Sequence, residues 1–378
     1  MDTDYEATEP DRDQALRDWM TLNLINGVGP RIRQRLLDHF GGVREILDAP
    51  PSRLREVDGV GPALTRSIVA AKEANDVDQE IQLSRQNGID IVVENTEAYP
   101  RMLREIPDPP GILYVNGELL PQDDLSIGLV GTRHASQYGL QVADMLASGL
   151  ARAGYTIVSG MARGIDAEAH RAALKAGGRT IAVLGSGLLN IYPPEHGELA
   201  KEISKQGAVI SEAPLKRPPR ADAFPQRNRI ITGMSLGLIV VEAADRSGAL
   251  ISARLAMEQG REVFAVPGRI DSRLSRGCHK LIRDGAKLVE SVDDVLEELG
   301  PLVGTTSDAA GNTIRHPGEL QLNDQERAVL DAIDLHPTEI ESIVVAAGLP
   351  IHRVLSTISV LEMKHLIRRV SGTSVVRK

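Results

Sequence analysis

The sequence predicts an α/β protein: a doubly wound, mainly parallel sheet with a helical domain before it and a winged-helix domain after it. Three observations predict this. Between about residues 80 and 300, short apolar runs alternate with amphipathic helical stretches, the pattern of strands buried on both faces. Ahead of that region the pattern is helical and is broken twice by the same four residues, Gly-Val-Gly-Pro. Behind it, a small and polar stretch leads into a second helical pattern that ends in short, basic, β-prone pieces.

Taken in order, residues 1–14 are acidic and polar, and a disordered tail is expected there. Residues 15–78 form the helical domain, with breaks at 26–30 (NGVGP) and 58–62 (DGVGP). Each break resembles a SAM-like helix-hairpin-helix element, whose glycines free backbone N–H groups at a helix start to meet DNA phosphates. The same residues also make a plain helix connector, because Pro30 and Pro62 suit a first helical turn. Contact with DNA would be favoured if Arg31, Arg33 and Arg35 share a surface. Residues 79–300 hold the sheet. Its strands are expected at 127–131, 156–160, 180–185, 208–212, 237–243, 262–268 and 287–290, with helices at 137–153, 166–176 and 249–259. Runs at 89–93 and 112–115 are expected to extend the sheet at one edge. Residues 301–319 have no pattern and read as a linker. In the winged-helix domain, 320–378, the expected core is Leu322, Val329, Ile333, Ile340, Ile343, Val354, Leu355, Ile358 and Leu361. Its recognition-like helix would span 351–364, and 368–378 would form the basic wing. That helix carries Glu362 and few cations, so a protein-binding role is as well founded as DNA binding.

Composition narrows the function classes. The chain has 378 residues, a net charge of −9 and one cysteine, Cys278. No apolar run approaches the roughly 20 residues of a membrane span. The first thirteen residues are wrong for a secretory signal, and a single cysteine cannot form an internal disulfide, so a cytoplasmic protein is expected. The negative total hides two basic stretches, 216–229 and 269–287, so it neither excludes nor suggests a nucleic-acid partner.

In a doubly wound sheet, ligands bind outside the carboxyl ends of the strands. Four such ends are rich in small or hydroxyl residues: Gly131-Thr132-Arg133, Ser159-Gly160 leading to Arg163, Gly185-Ser186-Gly187, and Ser247-Gly248. Glycine lets backbone N–H groups approach an anion, a helix start adds free donors, and arginine adds a planar phosphate partner. One such loop could serve only its turn, but four on one edge favour a phosphate-rich ligand. The segment 216–229 adds five cations and Phe224 on what reads as a proline-rich loop. Arginines for the backbone and an aromatic for a base form the minimal kit for single-stranded nucleic acid. The competing reading buries Phe224 and leaves the arginines in solvent.

No cofactor is expected. G-x-G-x-x-G is incomplete at 185–190, and no Walker A sequence occurs. Metal-ligand spacing is also missing, since Cys278 and His279 are adjacent. Asp166, His170, His196, Glu212 and Glu242 are the acid–base candidates, with Asp166 and Glu242 read as structural. A catalytic role is therefore not expected. The enzyme alternative is a nucleotide-processing phosphoribohydrolase, but its P-G-G-x-G-T-x-x-E block has only Val266-Pro267-Gly268-Arg269 as a counterpart.

Several blocks resemble the DNA-processing protein A (DprA/Smf) family: SGMARGID (159–166), GSGLLNIYPPEH (185–196), SEAP (211–214), FPQRNRIITGMS (224–235), VVEAADRSGALISARLAMEQGREVFAVPG (240–268) and GCHKLIRDGA (277–286). The resemblance implies an extended Rossmann-like fold that binds single-stranded DNA. It also implies a homodimer formed through that fold, which helps load RecA recombinase on incoming DNA in natural transformation. No membrane partner is expected, since no apolar run is long enough to span one. By the same resemblance, Gly131, Thr132 and Arg133 face DNA together with Phe224, Arg227, Asn228 and Arg229. Thr232, Gly233 and Met234 depart mildly from that block and leave its cations intact. Ser159, Gly160, Arg163, Gly185, Gly187, Ser247 and Gly248 complete the candidate DNA-binding set.

Overall fold

The computed structural model describes residues 9–71, 76–299, 306–307, 313–314, 322–334, 336–364 and 366–377. Helix α1 (Glu9–Leu24) begins inside the stretch expected to be a tail, and residues 1–8 lie outside the described residues. Proline and acidic residues are favoured in a first helical turn, so acidity alone is no sign of a tail. Both Gly-Val-Gly-Pro breaks turn the chain into a new helix. The first precedes α2 (Pro30–Phe40). The second follows α3 (Val43–Asp48) and α4 (Pro51–Leu54) and precedes α5 (Pro62–Ala71). Gly27 and Gly59 hold φ of 98° and 89°, where a Cβ would be strained.

Helix α6 (Asp76–Gln86) runs through the boundary expected at 78/79 and carries the chain to the sheet. The turn signal is Asn87-Gly88, where Gly88 takes φ 62°. Trp19, Leu36 and Ile68 of the helical part share one apolar cluster with Tyr114, Leu184 and Leu215 of the sheet part. A helical unit this small cannot bury its own apolar faces and completes its core on the neighbour.

The sheet begins with β1 (Asp90–Val93), α7 (Arg101–Arg104), β2 (Ile112–Gly117) and β3 (Ser126–Val130). Alternation follows: α8 (Gln137–Arg152), β4 (Thr156–Ser159), α9 (Ile165–Lys175), β5 (Thr180–Val183), α10 (Gly197–Gln206) and β6 (Gly207–Ser211). The second half holds α11 (Ala223–Met234), β7 (Gly237–Val240), α12 (Gly248–Glu258), β8 (Glu262–Ala265), α13 (Arg276–Arg283), β9 (Lys287–Leu288) and α14 (Val292–Leu299). The nine strands lie in the order β1-β2-β6-β5-β4-β3-β7-β8-β9. Strands β3 to β9 run parallel, while β2 pairs antiparallel with β6 and β1 with β2. The two early strands thus extend one edge, as expected. From β3 the chain winds one way through β4, β5 and β6, then returns to place β7 on the other side of β3. This reversal is the topological switch point, where a crevice opens outside the carboxyl ends.

A short pair, β10 (Thr306–Ser307) with β11 (Thr313–Ile314), falls within the expected linker; the rest of 301–319 lies outside the described residues. Then come α15 (Asp324–Asp331), β12 (Thr338–Glu339), α16 (Ile340–Ala347), α17 (Ile351–Met363), β13 (Ile367–Arg369) and β14 (Ser374–Arg377). The last three strands form a small sheet in the order β12-β14-β13, giving a winged helix with its own core of Val329, Ile343, Val354, Ile358 and Leu361. Leu355, expected in that core, is exposed, because it follows Val354 on α17 and so turns to the other face. Among the described residues no single helix is long and apolar enough to cross a membrane. Helices α16 and α17 reach such a length only together, across a bend of 107°.

Candidate functional site

A cleft of about 500 Å³ opens at the switch point, between the ends of β3 and β7 and the starts of α11 and α12. At its rim Arg133 is exposed, and its guanidinium carbon lies 5.2 Å from the Phe224 ring centroid. Phe224 is half-buried, and the Tyr192 ring stands 5.7 Å from it, tilted by 45°. Gly185 supports this stack, since a Cβ there would come within 3.3 Å of Phe224 Cδ1. Across the cleft, Ser247 caps α12 by accepting from the Ala249 N–H at 3.3 Å, and Gly248 faces open space. Thr132 and Asn228 also line the cleft. A flexible cation, an aromatic face and a helix start therefore converge on one opening, which suits a phosphate beside a planar group.

Beneath the rim lies a buried charge pair. Arg227 is 5% exposed; its Nη1 donates to the Val183 carbonyl at 2.6 Å, and its charge faces Asp166. Asp166 caps its own loop, accepting backbone N–H groups from Gly131, Gly160 and Ala162. Burial pushes the Asp166 carboxyl up, against the pull of Arg227 and these donors. Burial also pulls Arg227 down to about 10, which leaves it charged at neutral pH. A Cβ on Gly160 would overlap the Arg227 guanidinium, so this glycine makes room for a side chain inside the protein. Gly131 likewise lets the end of β3 close on α9, since a Cβ would lie 2.6 Å from Ile165 Cγ1.

Several expected ligand contacts prove to be internal. Arg229 is 5% exposed and bonds Glu212 at 2.6 Å and Asp108 at 3.4 Å, so it is not offered to a phosphate. The segment expected as one proline-rich loop ends at Asp222, and 223–234 is helical. Helix α11 is buried on most sides, which turns Arg227 and Arg229 inward. Ser159 spends its hydroxyl on the Leu129 carbonyl at 2.6 Å. Gly187 donates to the Arg217 carbonyl at 2.9 Å, and a Cβ there would strike the Pro214 carbonyl. Arg163 is exposed and bonded to Glu195 at 2.5 Å, outside the cleft lining. Arg31, Arg33 and Arg35 do not share a surface: Arg33 is buried against Glu94 and the Pro109 carbonyl, while Arg35 pairs with Asp58 at 2.7 Å.

The acid–base candidates are also tied into the scaffold. Glu242 accepts from the Ser136 N–H at 2.9 Å and hydroxyl at 2.5 Å, fixing the start of α8. His170 is fully buried with Nδ1 2.7 Å from the Thr180 hydroxyl, and burial drives it down to about 3, so it is neutral. His196 Nδ1 meets the Met161 carbonyl at 2.9 Å. Tyr192, beside Phe224 but outside the cleft lining, is the neighbour that sequence reading missed. Its signal was an aromatic in the loop after β5, on the same edge as the glycines.

Fold and site together define a class: a Rossmann-like protein with an anion-suited crevice at its switch point, flanked by helix-hairpin-helix and winged-helix modules. Residues 90–300 match the model of the DNA recombination-mediator protein A family, 315–373 its DprA winged helix domain, and 20–73 a SAM-like helix-hairpin-helix tandem. The chain belongs to the DNA recombination-mediator protein A family. It is 33% identical over 391 residues to the Smf protein of Synechocystis, covering 95% of this chain and 98% of that one. It is 45% identical over 216 residues to the DNA processing protein DprA of Bacillus subtilis, covering 57% and 73%. The X-ray structure of DNA processing protein A from Streptococcus pneumoniae superposes with a TM-score of 0.66 at 35% identity, over 74% of this chain and 97% of that one. DNA processing protein A of Helicobacter pylori gives 0.52 at 30%, over 57% and 97%.

Proposed function

We propose that this protein binds single-stranded DNA without reading its sequence, and acts as a recombination mediator that helps load RecA on incoming DNA in natural transformation. The observation that carries the binding half is the exposed Arg133 guanidinium over the half-buried Phe224 ring, opposite the open start of α12. Arg133 meets a phosphate, and Phe224 offers a sequence-tolerant face to a base. Arg227 and Asp166 line the same cleft as a buried charge pair. The Helicobacter pylori relative is described by its single-stranded DNA binding mode, which agrees with this reading. The mediator role and a homodimer joined through the Rossmann-like domain rest on the family resemblance, and a cytoplasmic location rests on the polar first residues and the single cysteine. No catalytic step is assigned, because the acid–base candidates are committed to the scaffold.

Fluorescence anisotropy of labelled oligothymidine at several salt concentrations tests the binding half. Binding should favour single strand over duplex, and Arg133→Ala should reduce the salt slope by about 0.7, the value of one single-strand phosphate contact. An unchanged slope removes Arg133 from the site, and no binding at low salt overturns the reading. The mediator half is read from the lag of RecA assembly on strands coated with single-strand-binding protein. A lag that this protein does not shorten overturns that half alone.

A further inference from the structure

A second cleft, of about 620 Å³, lies against the start of α11 on the side away from Phe224. One wall is the first glycine hairpin, with Asn26, Gly27 and Gly29 leading into α2; the other carries Gly185, Arg217 and Arg220. Helix α2 has no side-chain cap, and a Cβ on Gly29 would meet nothing within 4 Å. Pro30 at the first helical position has no N–H, so what the hairpin presents at this wall is the bare glycine backbone, which an anion can approach closely. An independent feature points the same way. Arg33 and Arg227, 3% and 5% exposed, both line the cleft, and the Nε of each lacks a hydrogen-bond partner. Buried guanidinium groups are seldom left short of an acceptor. At the rim Arg217 is exposed and forms no ion pair among the described residues. Arg220 pairs only with exposed Asp222, at 3.3 Å, which solvent screens. Glu212, the other acidic group in the lining, is neutralised by Arg229.

We infer that this cleft is a second phosphodiester subsite for the same strand, and that the glycine hairpin clamps single-stranded DNA against the 216–220 segment. The inference rests on the single-strand reading above. Arg227 lines both clefts, so a strand leaving the Arg133 rim crosses the start of α11 and enters between hairpin and sheet. The volume is that of a small-ligand pocket, which takes one strand's backbone and excludes a duplex. The hairpin thus serves the sheet domain instead of acting as a separate duplex-binding arm.

The test uses the full chain with oligothymidines of about 4 and about 20 nucleotides, bracketing the site size of one single-strand module. Arg217→Ala with Arg220→Ala should weaken the long oligomer about tenfold and reduce its salt slope by about 1.4, two contacts' worth. The short oligomer, held by the first cleft, should be unaffected. Photocrosslinks from a thiothymidine near one end of the long oligomer should map to residues 26–30. Unchanged long-oligomer binding by the variant, or equal loss with both lengths, overturns the second subsite and leaves the first-cleft reading standing. If the wild-type protein binds neither oligomer, both readings fall together.

Discussion

Replacing Gly160 with alanine tests whether the floor of the cleft is a buried charge pair that a glycine alone permits. The new Cβ would overlap the Arg227 guanidinium, which is buried and cannot swing into solvent without leaving α11's packed face. Displacing it breaks the 2.6 Å bond to the Val183 carbonyl and draws the charge away from Asp166. Breaking a buried pair costs about 3–5 kcal/mol, and overpacking by itself about 1–3. Alanine displaces the arginine without deleting it, so we take about 3 kcal/mol. For a domain of this size that lowers Tm by roughly 6–12 °C. Circular-dichroism melts of the wild type, Gly160→Ala, Arg227→Ala and the double variant form the cycle. With Arg227 gone the methyl group has room, so Gly160→Ala should then cost less than about 0.5 kcal/mol. If the two substitutions simply add, the glycine does not exist for the arginine and the proposed floor is wrong.

Arg229→Ala should destabilise the protein by about 3–5 kcal/mol, because it strands Glu212, yet leave the salt slope of DNA binding unchanged at temperatures where the variant is folded. A slope reduced by one contact would place Arg229 on the DNA. Phe224→Leu should weaken single-strand binding by about 1–3 kcal/mol at constant salt slope, and Phe224→Tyr should retain it. Equal affinity for all three proteins would end the stacking role. His170, held near 3 when folded against about 6.5 when unfolded, contributes stability that is complete above about pH 6.5 and is lost as pH falls toward 3. The loss is at most about 1.4 kcal/mol per pH unit. Urea midpoints at several pH values should therefore fall less steeply for His170→Asn; parallel profiles would remove His170 as the cause.

Much of the fold was legible because its signals are local. Apolar runs with helical stretches between them located β3 to β9, and the central strands β3 to β7 matched most plainly since each is buried on both faces and so written almost wholly in apolar or small residues. The paired Gly-Val-Gly-Pro turns and the glycine-rich strand ends were equally plain, because positive φ and first-turn proline are properties of single residues. The site was legible only as a neighbourhood. The structure brings Arg133, Phe224 and Gly248 to one cleft, and the arginine of the Gly-Thr-Arg loop is exposed at its rim.

The sequence by itself determined the strand order's raw material, the edge on which ligands gather and the residue types offered there. Which cations are free was decided by the tertiary structure. Arg133, Arg227 and Arg229 look alike in one dimension, yet only Arg133 stands exposed, because α11 is enclosed by the sheet and its neighbours. Gly187 and Ser159 resemble phosphate-loop residues, but their donors are consumed by Arg217 and Leu129, strands and loops far away in sequence. Helix α6 spans the limit expected at 78, and the helical part shares its core with the sheet. Burial and partner choice depend on what packs alongside, and sequence pattern records only which residues are available for it.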